Sequence, residues 1–565
     1  PIEGLAILCE PEDGALKITC SHQAPHRLKD QLETMLGIEG VRVVVPDVGG
    51  AFGLKGMFFP EYLITAAASR SIGRPVMWVE RRREHFLSGT HGRGQFHRVE
   101  LAGDETGRIR RAKVEILGDA GAYPHNGALI PTLSHLTVSG LYDIEDVRVE
   151  ITTVVTNRAP TGSYRGAGRP EAAFSIERAV DAFARAAGID PAVVRARNFI
   201  GKDQLPYEAP SGVLYDSGDY AAALARALEL VGESEVRREQ RERLERGANP
   251  IGLGIGAFIE RAGGPVDSGE YAKVSLLESG SISVRTGSTS SGQGHETVWA
   301  QVVADVFSVD LAQIEVVAGD TAEVSDGFGT FGSRSAQAGA SAAWRMAVEV
   351  RDQARDTASE MLEVAPTDLI LSAGQFSVSG VPGSELSLAQ VAAYARDNHI
   401  DLSSEEMFVP GKQTFPYGAH VAVVEIELET GTPKLLRFIA VDDCGNVLNP
   451  MIVEGQVHGS LTQGLGQALL EGIEYSDDGQ LSTASLLDYK LPAAADVPPF
   501  ETDRLVSPAP SNPLGVKGTG EAGCIGAPPA VVNAVLDALT PFGVTEIAMP
   551  LRPSRIWEAI RQART

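Results

Sequence analysis

One acid, Glu521, sits among five glycines in the segment 515–529 (GVKGTGEAGCIGAPP), just ahead of two prolines. Glycines let a backbone take positive φ angles and come close to a ligand. A carboxylate on such a turn, beside a backbone-lined cavity, is placed to take a proton from a reacting group. The prolines are expected to fix the exit from the turn before an apolar helical run at 530–539. Taken alone, the segment leaves a second reading open, a glycine-rich loop with an incidental exposed acid.

Four more glycine-rich segments lie far apart along the chain: 48–53 (VGGAFG), 164–171 (YRGAGRPE), 291–297 (SGQGHET) and 329–335 (GTFGSRS). Gln456 and Gln463 follow at 454–466. Successive backbone N–H groups in turns form concave anion-binding nests. Several nests drawn from distant parts of one chain suit a long, phosphate-bearing cofactor. Arg165, between Tyr164 and Gly166, can reach into a cavity as an always-charged fork. Segment 48–53 lacks the G-x-G-x-x-G spacing and precedes no clear βαβ unit with an acid further on, which excludes a nicotinamide fingerprint. His295 has no second His or Cys at metal-ligand spacing, so a structural role is expected for it.

Together these segments resemble the molybdenum-binding large subunit of the xanthine dehydrogenase/aldehyde oxidase family, the molybdenum hydroxylases, over nearly the whole chain from 21–26 (SHQAPH) onward. The resemblance implies that Gln23 and the loop Gly49, Gly50, Ala51, Phe52 and Gly53 flank the molybdenum and its dithiolene. Gln23, Phe52, Arg165 and Glu521 would surround the metal without ligating it. Ser291, Gly292, Gln293, Gly294, His295, Thr297, Gly332, Ser333, Arg334, Gln456, Lys517, Gly518 and Gly520 would hold the pterin dinucleotide. Glu521 matches the family's general base, with its pKa expected to rise by desolvation, and Gln23 would hydrogen-bond a metal oxo group. The implied cofactor is molybdopterin cytosine dinucleotide with an oxo/sulfido molybdenum. Electrons would leave to iron–sulfur clusters and FAD on partner subunits. The implied reaction inserts water-derived oxygen at an electrophilic carbon.

The resemblance also narrows the substrate. Carbon monoxide dehydrogenases of the family carry a Cys after the Tyr-Arg pair; here 164–169 reads YRGAGR, so that reading fails. Purine-specific members place an acid after the Gly-Gly-x-Phe-Gly loop and a Phe two residues after the Arg. This chain has 54–57 (LKGM) and Ala167, which disfavours a purine. An aldehyde or a nitrogen heteroaromatic remains. The alternatives are a cofactor-free structural paralogue, against which Glu521, Gln23, Arg165 and Gln293 together argue, and a carbon monoxide dehydrogenase-like protein without the active-site Cys.

Bulk properties agree. A chain of 565 residues suggests two or more domains, and a formal charge of −25 argues against nucleic acid as a partner. No apolar run is read as a membrane span and no secretory signal opens the chain, so a cytoplasmic location is expected. Cys9, Cys20, Cys444 and Cys524 form no C-x-x-C pair, so clusters must sit on partners: an iron–sulfur small subunit and an FAD medium subunit. Cys524, three residues past Glu521, is expected to be a buried thiol rather than a nucleophile. Pro1 opens in what reads as mid-domain, so a hammerhead-like N-terminal region is expected on a separate polypeptide or lost from this one.

The elements that must position these residues read as mixed α/β. Two large, elongated cofactor-binding domains, 1–245 and 246–565, are expected with the cofactor between them. In the first, 41–45 is a strand leading into the 49–53 loop. Helices are expected around 176–187, stopped by Gly188, and over 220–231, with Leu224, Leu228 and Val231 on one face. The run 236–246 is a solvated charged helix. In the second, 251–258 is a glycine-spaced strand, Val274/Leu276 and Ile282/Val284 form a hairpin, and 338–362 is a long helix. Val424, Ile426 and Leu428 alternate with glutamates, as in a half-exposed strand.

Overall fold

Alternate glycines set the centre of the fold. In the strand Ile251–Ile259, Gly252, Gly254 and Gly256 share one face. A Cβ at any of them would overlap the backbone of the helix Ala522–Leu539. The helix therefore lies directly on the strand, and every residue in it except Asp537 is buried. It begins at Ala522, not near residue 530, and runs through Pro528 and Pro529 instead of following them. Two interior prolines cost about 3 kcal/mol or more each. Burying Ile525, Val531, Val532, Val535, Leu536 and Leu539 contributes about 1.5–3 kcal/mol apiece, which is the larger effect. The stretch Ala522–Phe542 is also long and apolar enough to cross a bilayer, contrary to the sequence reading. Its most apolar 18 residues are 94% buried within the protein, as a core helix is.

The structure, a computed structural model, describes residues 1–12 and 14–563. Its central sheet runs Ile251–Ile259, Tyr417–Glu427, Thr432–Asp443, Phe500–Leu505, the first three antiparallel and the last parallel to its neighbour. One face, with Val424, Ile426 and Phe438, packs against the helices Pro450–Leu469 and Ala522–Leu539. The other, with Leu253, Val421 and Ile439, packs against Arg169–Ala187 and Tyr220–Val231. This double cover corrects the half-exposed reading: Tyr417–Glu427 is buried along most of its length, Glu427 alone is exposed, and Leu428 lies beyond its end. The apolar cluster on that second face joins residues on both sides of position 245.

Other elements follow their patterns. The helices Arg169–Ala187 and Tyr220–Val231 end at Gly188 and Gly232, both left-handed. The charge run forms the helix Glu233–Glu245 with only Val236 buried. Glu270–Leu276 pairs with Ile282–Thr286 as the expected hairpin, inside a four-stranded sheet with Ile314–Ala318 and Ser403–Phe408. Over it lies Ser341–Leu362, burying Ala343, Ala347, Val350 and Ala354. A π-helical turn, Ser335–Ala340, precedes that helix and so displaces its start from residue 338; such turns are frequent at functional sites. The strand Val41–Val44 leads into the 49–53 loop.

Candidate active site

The five glycine-rich segments, drawn from both halves of the chain, converge on one cavity of about 1380 Å³. Gln23, Gly49, Gly50, Ala51, Phe52, Gly53, Arg165, Ser291, Gly292, Gln293, His295, Gly332, Ser333, Arg334, Gln456, Lys517, Gly518, Gly520 and Glu521 all line it. Gly294 and Thr297 do not. Gly294 caps the helix His295–Phe307 against Ile452, and Thr297 faces solvent from its first turn. Phe52, Ala167 and Ser333 on this wall hold positive φ (56°, 39° and 55°), a strained conformation for residues with a Cβ and one that clusters at functional sites.

Glu521 caps the N-terminus of the helix Ala522–Leu539, its side chain 12% exposed. Its Oε1 accepts the Gly166 N–H (2.7 Å); its Oε2 accepts from Arg169 Nη2 (2.7 Å) and the Ser333 hydroxyl (2.8 Å). Burial pushes its pKa up, but the Arg169 guanidinium and these donors more than offset that, so the carboxyl lies below its ordinary value. The expected rise falls instead on Glu260, which burial and the neighbouring Glu521 charge push well above the carboxylate range. Sequence reasoning missed both Arg169 and Glu260. The signals were an Arg-Pro pair directly after Gly168, a helix start, and an acid directly after the glycine-spaced strand.

Arg165 is held on all sides. Its Nη1 donates to Gln463 Oε1 (3.1 Å), its Nη2 to Gln456 Oε1 (3.2 Å), and its Nε to the Gly520 carbonyl. It lies 5.7 Å from the Phe52 ring centroid. The Gln23 amide ties two loops together, Oε1 accepting from Gly53 N (3.1 Å) and Nε2 donating to Thr330 O (2.8 Å); Nε2 keeps a second N–H. His295 stacks on Trp299 with its Nδ1 3.1 Å from the Thr289 carbonyl, and burial lowers its pKa to about 4, so it stays neutral. The Cys524 thiol donates to Ser460 O (3.3 Å), and burial pushes its pKa up, which removes it as a nucleophile.

Two lining residues turn their charges away from the cavity. Lys517 Nζ donates to Ser217 O (3.0 Å) and Phe415 O (3.2 Å) and faces Asp443 (3.4 Å). Arg334 pairs with Glu270 (2.5 Å), 4.8 Å and 5.8 Å from the Phe328 and Phe331 rings. Both brace loops from behind, and their side-chain heads are not available to hold a dinucleotide.

The remaining chemistry fits an anionic, phosphate-bearing group. Besides Arg334, four arginines line the cavity, Arg27, Arg165, Arg169 and Arg261, and Glu521 is the one acid among the described residues that do. The N-terminal turns of His295–Phe307, Pro450–Leu469 and Ala522–Leu539 all open onto it, and helix N-termini bind phosphates. Ser291 Oγ is buried there without a partner. No cluster of three His, Cys, Asp or Glu capable of holding a metal occurs among the described residues. A metal here would be carried by its own organic ligand, as in molybdopterin.

Comparison with known proteins agrees. Two family models described as molybdopterin cofactor-binding domains match residues 1–199 and 226–498. The carbon monoxide dehydrogenase large chain of Hydrogenophaga pseudoflava is 36% identical over 100% of this chain and 73% of its own length. The nicotine 6-hydroxylase large subunit of Paenarthrobacter nicotinovorans is 35% identical over 99% of this chain and 72% of its own. The crystal structure of quinoline 2-oxidoreductase from Pseudomonas putida 86 superposes with a TM-score of 0.95 at 34% identity, covering 100% of this chain and 74% of that one. The chain thus belongs to the molybdenum hydroxylases, as a large subunit of the carbon monoxide dehydrogenase/xanthine dehydrogenase type and a molybdenum-dependent oxidoreductase.

Proposed function

We propose that this subunit hydroxylates a nitrogen heteroaromatic ring at an electron-poor carbon, with Glu521 as general base. The observation that carries this is Glu521 itself, the one acid in an arginine-lined cavity, held ionised by three donors. Molybdopterin, when bound, supplies the two-electron redox chemistry. We assign it the cytosine dinucleotide form, with its phosphates toward Ser291, Gly292 and Gln293 and the helix behind them. Gln23, with its spare N–H, and Phe52 and Arg165 would stand around the metal end. Glu521 would take the proton that must leave as a carbon–oxygen bond forms.

The substrate side is apolar. Leu129 and Leu133 line it, and the turn at Gly168 packs so closely on the helix Ile130–Leu136 that a Cβ there would meet Leu133. Flat rings suit such a wall, and the nicotine- and quinoline-acting relatives support that class. Segment 164–169 lacks the Cys of a copper site. Lys55, where purine enzymes would have an acid nearby, is buried against Glu3 (2.6 Å). A screen with a dye acceptor in ¹⁸O-labelled water tests the reading: quinoline or a pyridine should gain one labelled oxygen. Turnover of aldehydes alone would replace it.

Two consequences follow. With Glu521 below its ordinary value, the acid limb of kcat/KM is expected below pH 4.5, because the base is lost only as pH falls through its lowered pKa. A limb at or above 4.5 would contradict this. Electrons must also leave the chain, whose four cysteines are all free and buried. We propose an iron–sulfur small subunit and a flavin subunit as acceptors. Co-expression should yield a complex containing iron and flavin; an iron-free monomer that reduces the physiological acceptor would refute that.

A further inference from the structure

Glu260 follows the strand Ile251–Ile259 and continues its ladder, its N–H donating to Pro416 O (2.8 Å). The side chain is fully buried, and neither carboxyl oxygen receives a hydrogen bond from a described donor. The cation beside it is Arg169, whose Nη2 lies 3.8 Å from Glu260 Oε1 but 2.7 Å from Glu521 Oε2. The Ser333 hydroxyl has one proton and gives it to Glu521 Oε2 (2.8 Å). Arg261, the next residue, gives its Nε–H to Gln413 Oε1 (2.7 Å). The two carboxyl groups thus stand around the same guanidinium nitrogen, Arg169 Nη2.

One guanidinium cannot neutralise two buried carboxylates, and an uncompensated buried charge is strongly destabilising. Two buried carboxylates around one guanidinium nitrogen cannot both ionise, so one must keep a proton. Glu521 has three donors and Glu260 none, which decides where that proton sits. We propose that Glu260 is a positioning residue for Glu521: as the neutral acid it donates its O–H to the Glu521 carboxylate and, with Arg169, Ser333 and the Gly166 N–H, fixes the orientation of the base and keeps it ionised. The direction of both titrations agrees, Glu260 raised by burial and by the charge of Glu521, and Glu521 lowered. The inference rests on Glu521 being the base only for its kinetic consequence; the location of the proton is independent of it.

Infrared difference spectroscopy of the purified complex at neutral pH reads the proton directly. A carboxylic-acid C=O band that shifts in D₂O should be present in wild type and absent in Glu260→Gln. No such component in wild type, or one kept in Glu260→Gln, overturns the assignment. Kinetics then read the positioning. In Glu260→Gln the amide N–H replaces the O–H, so the acid limb of kcat/KM should stay at its wild-type position and the rate within about 3-fold. In Glu260→Leu the lost donor should move the limb up by about one pH unit, a roughly 10-fold fall on the acid side. An unmoved limb in Glu260→Leu, or a Gln variant as impaired as the Leu variant, refutes positioning. Should Glu521→Gln remain fully active, the base assignment fails while the infrared result still decides the proton on Glu260.

Discussion

Glu521→Gln is expected to lose at least about 100-fold in turnover while its molybdenum content stays at the wild-type level. The amide occupies the carboxylate's volume and keeps one oxygen, so it can still accept the Gly166 N–H. What it loses is the proton acceptor and the charge that pairs with Arg169 at 2.7 Å. Metal analysis and a dye-coupled assay on the same preparation separate the two effects. Near-native turnover at full molybdenum content would remove Glu521 from the chemistry. Loss of metal together with activity would make it a cofactor-retention residue. Glu521→Asp adds a further reading: the charge survives but is drawn back by one methylene, so a rate between those of wild type and Glu521→Gln is expected, with Arg169 still paired.

The glycine-rich segment 515–529 was legible in sequence because its constraint is local. Glycines that allow close backbone approach cluster wherever a ligand must be approached, and the strand 251–258 announced its helix contact by glycines two apart, though the partner helix could not be named from them. What escaped is what needs the tertiary fold. Arg169, Ser333, Glu260 and Glu521 come from four elements spread over more than three hundred positions, and only the packed sheet brings them together. The helix through Pro528 and Pro529 escaped for a different reason: local propensity argues against it, and burial on three glycines overrides propensity. Likewise, Val424 and Ile426 alternate with glutamates as if one face were wet, but helices cover both faces of that strand.

Lys517 shows where residue type misleads most, and its variant should have the largest effect on stability. A lysine in a glycine-rich turn beside a phosphate-binding cavity invites a contact with the cofactor. The structure turns its ammonium the other way, toward Asp443 at 3.4 Å and two backbone carbonyls, 5.2 Å from the Tyr417 ring centroid, with both charged side chains fully buried. Its own N–H donates to Cys444 O (2.7 Å), so the residue fastens segment 515–521, and Glu521 with it, to the end of the central sheet. Lys517→Met keeps the volume and leaves Asp443 ionised and uncompensated, with the Gly445 N–H (3.0 Å) and Tyr417 hydroxyl (3.3 Å) as its remaining donors. Breaking a buried pair in this way costs about 3–5 kcal/mol. Adding Asp443→Asn should recover at least half of that, since the amide oxygen still accepts while the charge is gone. The measurement is thermal unfolding of the cofactor-free protein, which separates the two roles. A cofactor-binding lysine would leave that transition unchanged and lower only molybdenum retention. A lysine that braces the segment from behind lowers the transition itself, and the double variant restores it.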